Sequence, residues 1–239
     1  MRQPFYHANP NQLELETTIV DSRPGRVVLE QSPFFLGGGG QLPDLGKLVH
    51  RGGEVEVSGF EHDQERVWHI LADPALELAD DVRAEVDPEF RRMMQILHTG
   101  SHVLNALVFQ EFEGALVTGA QLAADGSVRL DFDLPEVDND RLRAMELQIA
   151  SVIKKNLPVR ARYVTLADAE QTPGLIRSKS ATPPPSDDGF IRIVEIEGLD
   201  EQACGGTHLE STGQSPALRI LKIDNKGRHN RRVRLGIAS

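Results

Sequence analysis

The sequence predicts an α+β protein with two domains, a strand-rich domain over residues 1–86 and a mixed domain over residues 87–239. Three observations lead to this prediction. A length of 239 residues is above the usual size of a single domain. Roughly the first eighty residues contain short segments of alternating hydrophobicity, separated by Gly, Pro and Asp. The remainder mixes strands irregularly with helices, which favours α+β over a parallel doubly wound sheet.

The composition is that of an ordinary globular protein, with 39% hydrophobic and 26% charged residues. No apolar run reaches the roughly 18 residues that a membrane helix needs. The first residues lack the basic and then apolar pattern of a signal peptide, so we expect a soluble, cytoplasmic protein without a membrane partner. The single cysteine excludes an intramolecular disulfide and any zinc site that needs two thiolates from one chain.

Charge is distributed unevenly along the chain. The formal net charge of −10 does not indicate a nucleic-acid binder. Residues 219–239, however, carry seven basic side chains and one acidic one, whereas residues 1–90 carry seven basic and seventeen acidic ones. The basic C-terminal segment is compatible either with a solvated strand and turn or with a surface that contacts phosphates.

The N-terminal strands predict a small β-barrel or sandwich that contains a glycine-rich loop. Four glycines, Gly37 to Gly40, can adopt positive φ and let a ligand approach bare backbone, although such loops are commonly simple turns. Their spacing is not the dinucleotide fingerprint, and no Lys-Ser/Thr pair follows as in a P-loop. The sequence therefore predicts no nucleotide cofactor.

The mixed domain begins with a helix. Asp87 is a suitable N-cap and Pro88 a suitable first helical residue, and the helical pattern then runs to about residue 112. Gly100 interrupts it, which indicates a close neighbour at the backbone because glycine costs roughly 1 kcal/mol in a helix interior. The later predicted elements are a hairpin (115–122 and 127–134), a helix (140–156), a strand (159–164) with a capping box from Thr165 to Asp168, a proline-rich loop (180–189) and strands over 190–196, 217–223 and 231–237.

Two pairs of residues have metal-ligand spacing. His98 and His102 lie four residues apart on the predicted helix, so both imidazoles project from one face. Thr99 stands where a zinc metalloprotease has its general-base Glu, which excludes that chemistry. Cys204 and His208 form a second pair with the same spacing. One thiolate and three imidazoles can complete a tetrahedral Zn²⁺ site.

Four segments together resemble a known family. HTGSHVLNALV, CGGTHLESTGQ and DNKGRHNRRVRL are similar to the editing domain of alanyl-tRNA synthetase and to its freestanding form, AlaX. SPFFLGGGGQLPDLGKLV is similar to the glycine-rich N-terminal stretch of that family. The resemblance covers nearly the whole chain. It implies an N-terminal β-barrel followed by an α+β editing domain, in which an antiparallel sheet surrounds a central helix that carries the zinc pair.

The resemblance also implies an activity, namely zinc-dependent hydrolysis of the ester bond that joins a wrongly attached serine, or glycine, to tRNA(Ala). The chain has no room for an aminoacylation domain, so we expect it to act in trans. Gln41 matches the position that the family associates with selecting serine, although Phe34 to Leu36 replace the usual acidic residue before the glycines. The implied sites are zinc and catalysis (His98, His102, Cys204, His208), substrate (Gly39, Gly40, Gln41, Thr99, Ser101) and tRNA (Lys226, Arg228, Arg231, Arg232).

Several alternatives remain open from the sequence. Three protein ligands on zinc would leave a position for water, whereas four would close the site. Threonyl-tRNA synthetase carries a related pair of motifs, so editing of Ser-tRNA(Thr) is a second candidate activity. A non-catalytic zinc-containing tRNA-binding module and a small-molecule zinc hydrolase are the others. The glycine-rich stretch favours the alanine family.

Overall fold

The computed structural model describes residues 3–63, 66–134, 139–172, 174–175, 189–227 and 229–238. Within these residues the fold is α+β and divides into two compact units. Residues 3–37 and 43–92 form the barrel unit, and residues 38–42 and 93–238 form the mixed unit. The domain limits of 1–86 and 87–239 stay predictions. No helix in the described part of the chain has the length and apolar character needed to span a membrane.

The barrel unit contains six antiparallel strands that close in the order β1-β2-β5-β4-β3-β6. The strands are β1 (Glu14–Arg23), β2 (Arg26–Leu29), β3 (Gly46–His50), β4 (Gly53–Asp63), β5 (Arg66–Leu71) and β6 (Asp81–Val86), preceded by a single helical turn, α1 (Phe5–Ala8). Closure pairs both edges of every described strand of this barrel. Of the barrel and the sandwich that the sequence allows, the chain forms the barrel. Its closing strand β6 is not apparent in the sequence pattern.

The first long helix, α2 (Pro88–Glu111), begins where the sequence predicts. Asp87 Oδ1 accepts hydrogen bonds from the backbone N–H groups of Glu89 and Phe90, at 2.9 and 3.0 Å, as an N-cap does. In the barrel unit Arg91, at the start of α2, forms an ion pair with Asp44 that is almost fully buried, with side-chain exposures of 1% and 0%.

Among its described residues the mixed unit has two antiparallel sheets, so the expectation of one sheet around a central helix is wrong in this respect. The four-stranded sheet has the order β12-β13-β8-β7 and the three-stranded sheet the order β11-β10-β9. Their strands are β7 (Val117–Leu122), β8 (Ser127–Asp133), β9 (Val159–Thr165), β10 (Phe190–Ile196), β11 (Asp200–Ala203), β12 (Leu218–Lys226) and β13 (Asn230–Ile237). The unit also contains the helices α3 (Asn139–Lys155) and α4 (Leu166–Gln171) and a 3-10 turn (Thr212–Gln214). The predicted loop over 180–189 lies, apart from Gly189, outside the described residues.

Contacts from both sheets reach α2. A Cβ at Gly100 would lie 2.5 Å from Leu218 Cδ1 and 3.4 Å from Leu235 Cδ2, atoms of β12 and β13. This confirms the close neighbour that a glycine in mid-helix predicts. Residues of β11 contact the same helix through polar side chains, at His102 and Asn105. The second half of α2 is therefore positioned by an apolar contact with one sheet and by polar contacts with the other.

Candidate metal centre

Four side chains, those of His98, His102, Cys204 and His208, converge in the interior of the mixed unit. One potential ligand atom from each lies within 4.8 Å of all the others, and all four residues are buried. The two α2 histidines are one turn apart, and Cys204 and His208 follow β11. Cys204 Sγ lies 3.4 Å from His98 Nε2 and 3.3 Å from His208 Nε2. The two sequence pairs thus meet at one point.

The donor set fits a zinc ion. Zinc bonds of about 2.0–2.1 Å to nitrogen and about 2.3 Å to sulfur place tetrahedral ligand atoms roughly 3.3–3.6 Å apart. A sulfur–nitrogen pair would lie at the upper end of that range, at roughly 3.5–3.6 Å, and the observed distances of 3.4 and 3.3 Å are slightly shorter than this separation. One thiolate with three imidazoles is also a combination that zinc accepts.

The three histidines each use Nδ1 for a hydrogen bond, which leaves Nε2 for the centre. His98 Nδ1 lies 2.7 Å from Gln41 Oε1, and His102 Nδ1 lies 3.1 Å from Asp200 Oδ2. His208 Nδ1 lies 3.3 Å from Thr99 Oγ1. Amide and carboxylate oxygens only accept, so Nδ1 of His98 and His102 carries the hydrogen. Metal-binding histidines are commonly oriented by such a bond from their second nitrogen.

The charges within the cluster favour the form of cysteine that binds metals. Burial raises the pKa of the Cys204 thiol, but His98, His208 and His102 together hold that pKa well below its usual value. Burial lowers the pKa of His102, whereas Cys204 and Asp200 outweigh burial and raise it to about 10. Burial and the neighbouring His98 keep the pKa of His208 well below its usual value. A Cys204 thiolate therefore lies beside a protonated His102, and binding of a metal ion by His102 would displace that proton.

Gln41, predicted as a substrate residue, is part of this cluster's support. Its Oε1 accepts from His98 Nδ1 and from the Thr207 backbone N–H at 3.0 Å, and its Nε2 donates to Thr207 Oγ1 at 2.8 Å. The side chain is buried, with both ends bonded. Gly206 permits this arrangement, since a Cβ there would lie 2.7 Å from Gln41 Oε1 and still closer to the His98 ring.

The glycines before Gln41 form a tight turn. Gly38 and Gln41 exchange backbone hydrogen bonds of 3.1 and 3.0 Å, and Gly39 and Gly40 have φ of +60° and +86°. The Gly40 carbonyl accepts from Leu122 N–H at 2.8 Å, and a Cβ at Gly40 would collide with the Ala120 carbonyl. A Cβ at Gly39 would have no atom of the described residues within 4 Å. Glycine at position 40 thus permits the turn to contact β7, whereas Gly39 is exposed to solvent.

Thr99 and Ser101 have structural partners in α2 and beside it. Thr99 Oγ1 faces His208 and accepts from Leu209 N–H at 3.1 Å, and Ser101 Oγ donates to the His98 carbonyl at 2.7 Å. Both residues are buried. Their assignment as pocket residues stays a prediction, and the contacts indicate that Thr99 orients His208.

Sequence reasoning missed a series of hydrogen-bonded polar side chains that runs from β11 to Asn105 of α2. Asp200 Oδ2 accepts from Gln202 Nε2 at 2.6 Å, and Gln202 Oε1 accepts from Asn105 Nδ2 at 2.7 Å. A signal was available, because side chains alternate between the two faces of a strand. Asp200, Gln202 and Cys204 recur at every second position and therefore share one face.

The basic residues predicted to bind tRNA differ in exposure. Lys226 is exposed at the end of β12. Arg231 is buried, at 8% exposure, and donates to the Asn230 carbonyl. Arg232 forms two hydrogen bonds with Asp131, of 2.7 and 2.9 Å. Arg228 lies outside the described residues.

Comparison with known proteins identifies the class of domain and then the family. A family model described as the threonyl and alanyl tRNA synthetase second additional domain matches residues 191–234. An alanyl-tRNA editing protein AlaX-M from Methanosarcina acetivorans is 38% identical over 216 residues, 87% of this chain and 86% of that protein. The AlaX-M protein of Methanosarcina barkeri is 33% identical over 241 residues, 98% of each chain. The chain belongs to this AlaX-type family of alanyl-tRNA editing proteins.

The similarity extends to a larger class of enzyme. An alanine–tRNA ligase from Korarchaeum cryptofilum is 31% identical over 220 residues, which cover 91% of this chain but only 24% of the ligase. The chain therefore corresponds to about a quarter of that ligase.

Proposed function

We propose that this chain is a zinc-dependent deacylase that hydrolyses the ester of serine wrongly attached to tRNA(Ala), with glycine as the second candidate amino acid. The observation that carries the proposal is the convergence of His98, His102, Cys204 and His208, with ligand atoms within 4.8 Å of one another. The names of its relatives, alanyl-tRNA editing proteins and an alanine–tRNA ligase, support tRNA(Ala) as the nucleic acid. The reaction needs no nucleotide cofactor and belongs with translation in the cytoplasm.

The proposed chemistry relies on positioning and on charge stabilisation. Aminoacyl esters are activated, so their hydrolysis requires no strong protein nucleophile. When bound, Zn²⁺ supplies a positive charge that can orient the aminoacyl group and stabilise charge that develops on the ester. The protein's part is to fix the ligand geometry. His98 and His208 each have one nitrogen held by a neutral partner and the other beside Cys204 Sγ.

Selection of serine is proposed to involve the turn at Gly39 and Gly40 together with Gln41. A pocket that hydrogen-bonds a substrate hydroxyl rejects the analogue without it, since its own polar group is then left unpaired. Gln41 is already bonded to His98 and Thr207, so it acts on the substrate mainly by orienting its neighbours. Gly39 offers an open backbone position beside this residue.

Binding of tRNA is proposed to use the basic hairpin of β12 and β13. Lys226 is exposed, whereas Arg231 and Arg232 already have protein partners. We therefore expect Lys226→Ala to weaken tRNA binding. The slope of log K against the logarithm of the salt concentration should become about one less steep. Lys154→Ala, an exposed lysine at the end of α3, is the control. An unchanged salt slope in Lys226→Ala would contradict this surface.

The test is deacylation by the zinc-loaded protein of three substrates, Ser-tRNA(Ala), Ala-tRNA(Ala) and Ser-tRNA(Thr). We expect serine to be released from tRNA(Ala) while alanine is spared. Release from tRNA(Thr) instead would favour the threonine alternative. Zinc and tRNA binding without any hydrolysis would favour the non-catalytic module.

A further inference from the structure

The three histidines of the cluster are held by chemically different partners. A neutral amide, Gln41, contacts His98, and a neutral hydroxyl, Thr99, contacts His208. His102 instead contacts a carboxylate, Asp200, whose side chain is 0% exposed. Burial of a carboxylate is costly, and a neutral group would suffice to hold an imidazole, as the other two histidines demonstrate. The negative charge of Asp200 therefore requires a reason of its own.

Asp200 is itself held by a chain of directed hydrogen bonds. Asn105 Nδ2 donates to Gln202 Oε1 at 2.7 Å, and Gln202 Nε2 donates to Asp200 Oδ2 at 2.6 Å. The same oxygen lies 3.1 Å from His102 Nδ1. All four residues are buried, between 5% and 7% exposed. Each donor faces an acceptor, so the network fixes the carboxylate against His102 in one orientation.

Charge balance supplies the reason. A divalent cation held by one thiolate and three neutral imidazoles would carry one net positive charge inside the protein. The Asp200 carboxylate, in contact with the His102 ring, would cancel that charge. A carboxylate that accepts from Nδ1–H also makes the imidazole a stronger donor through Nε2.

We infer that Asp200 is a positioning residue of the metal centre, which holds His102 as the most firmly bound of the three imidazole ligands and neutralises the charge of the site. The inference rests on the proposed metal site. It distinguishes His102 from His98 and His208, whose neutral partners add no charge.

The experiment compares Asp200→Asn with two other variants of the full chain. Asn keeps an oxygen that can accept from His102 and Gln202 but removes the charge. Glu201→Gln removes a neighbouring charge whose carboxylate instead pairs with Arg162. Thr99→Val removes the neutral partner of His208. Zinc affinity is measured by competition with a chromophoric chelator, and the visible spectrum of the Co²⁺-substituted protein reports ligand geometry.

We expect Asp200→Asn to weaken zinc binding by about 10-fold or more and to shift the Co²⁺ bands, as loss of outer-shell partners typically does. Glu201→Gln should leave both unchanged, and Thr99→Val should cost less than Asp200→Asn. Thermal melting of the chelator-treated variants identifies any variant that fails to fold. If Asp200→Asn fails to fold, Asp200→Glu, which keeps the carboxylate, tests the inference and should retain part of the zinc affinity.

The outcomes separate this inference from the proposed function. Wild-type affinity and spectrum in Asp200→Asn, with zinc binding lost in Cys204→Ala, would overturn the role of Asp200 and leave the metal site standing. An equal loss in Thr99→Val would overturn the special status of His102. A wild-type chain that binds no zinc would overturn the metal site and this inference together.

Discussion

The two units of the chain each bury polar side chains, and the two clusters differ in how their atoms are used. In the barrel unit Arg91 donates to the Asp44 carboxylate and to the carbonyls of Pro33 and Pro10, while Asp44 also accepts from Phe35 N–H. These groups are directed at protein partners. In the mixed unit, His98 and His208 direct one nitrogen at a protein partner and the other at Cys204. A buried cluster of the first kind stabilises a fold, whereas the second kind is prepared for a ligand.

The largest expected effect is in the second cluster. We expect His98→Ala to abolish stoichiometric zinc binding and to lower kcat/KM for Ser-tRNA(Ala) by more than about 100-fold, because the loss of one ligand removes several kcal/mol of charge stabilisation. Zinc content and deacylation rates are the measurements. His62→Ala, an exposed histidine of β4, is the matched control. Full activity of His98→Ala without bound zinc would show that the second cluster does not act through a metal ion, and the contrast between the two clusters would no longer hold.

The next effect is on the ion pair of the barrel unit. Asp44→Ala leaves Arg91 buried without its carboxylate, which should cost about 3–5 kcal/mol of unfolding free energy. Trp68, the only tryptophan and 0% exposed in the barrel core, reports this unfolding by fluorescence in urea. The control is Glu61→Ala, which removes an exposed carboxylate from its pair with the half-buried Arg26 and should cost about 0–1 kcal/mol. Equal midpoints for the two variants would show that burial does not distinguish them.

A buried histidine of the barrel unit gives a pH-dependent effect. Burial lowers the pKa of His69 from 6.5 to about 4, although the backbone of Val27 and Val67 opposes this. Between those values the unfolded chain binds more protons, so stability should fall as pH decreases from about 6.5 to 4, by about 3 kcal/mol in total. Urea unfolding at pH 7 and pH 4.5, read from Trp68, measures this loss. His69→Gln should show a smaller decrease, and an identical decrease would assign it to other groups.

The smallest effect concerns the apolar contact of α2. Gly100→Ala gains about 1 kcal/mol of helix propensity but places a methyl against Leu218, so we expect a net loss of about 1 kcal/mol. Melting followed by circular dichroism measures it. Gly59→Ala, where a Cβ would meet nothing within 4 Å, is the control. Stabilisation by Gly100→Ala would show that Leu218 moves aside freely.

Local signals in the sequence predicted much of this fold. Asp87 and Pro88 mark the start of α2, and the capping pair Thr165 and Asp168 marks α4, because caps act within one turn. The amphipathic stripe of α3 is buried as its period indicates. Strand β6 was missed, since its pairing with β1 joins residues far apart in sequence. Strand β11 pairs with the neighbouring β10, and it was missed because its four residues, DEQA, have no alternation of hydrophobic and polar side chains.

The site was predictable in its centre and less so in its surroundings. Equal spacing of the two pairs indicated the four candidate ligands, because ligand spacing is a local property. The partners of the imidazoles come from other segments, with Gln41 57 residues from His98 and Asp200 98 residues from His102. Only the packed structure brings Asp200 and Thr99 to their histidines. The resemblance to the family placed Gln41 near the site but gave no information on its bond to His98.

The two ligand pairs have a mechanical consequence that follows from their distance along the chain. Cys204 and His98 are 106 residues apart, and this chain has a single cysteine and hence no disulfide of its own. An ion shared by both pairs would be a reversible cross-link that closes a loop of this length. While such a cross-link persists in the unfolded chain, closing a loop of about 100 residues lowers the chain's entropy and raises its free energy by roughly 4–5 kcal/mol at room temperature. If the cluster binds an ion, metal supply would therefore also raise the unfolding free energy of the mixed unit, through mass action.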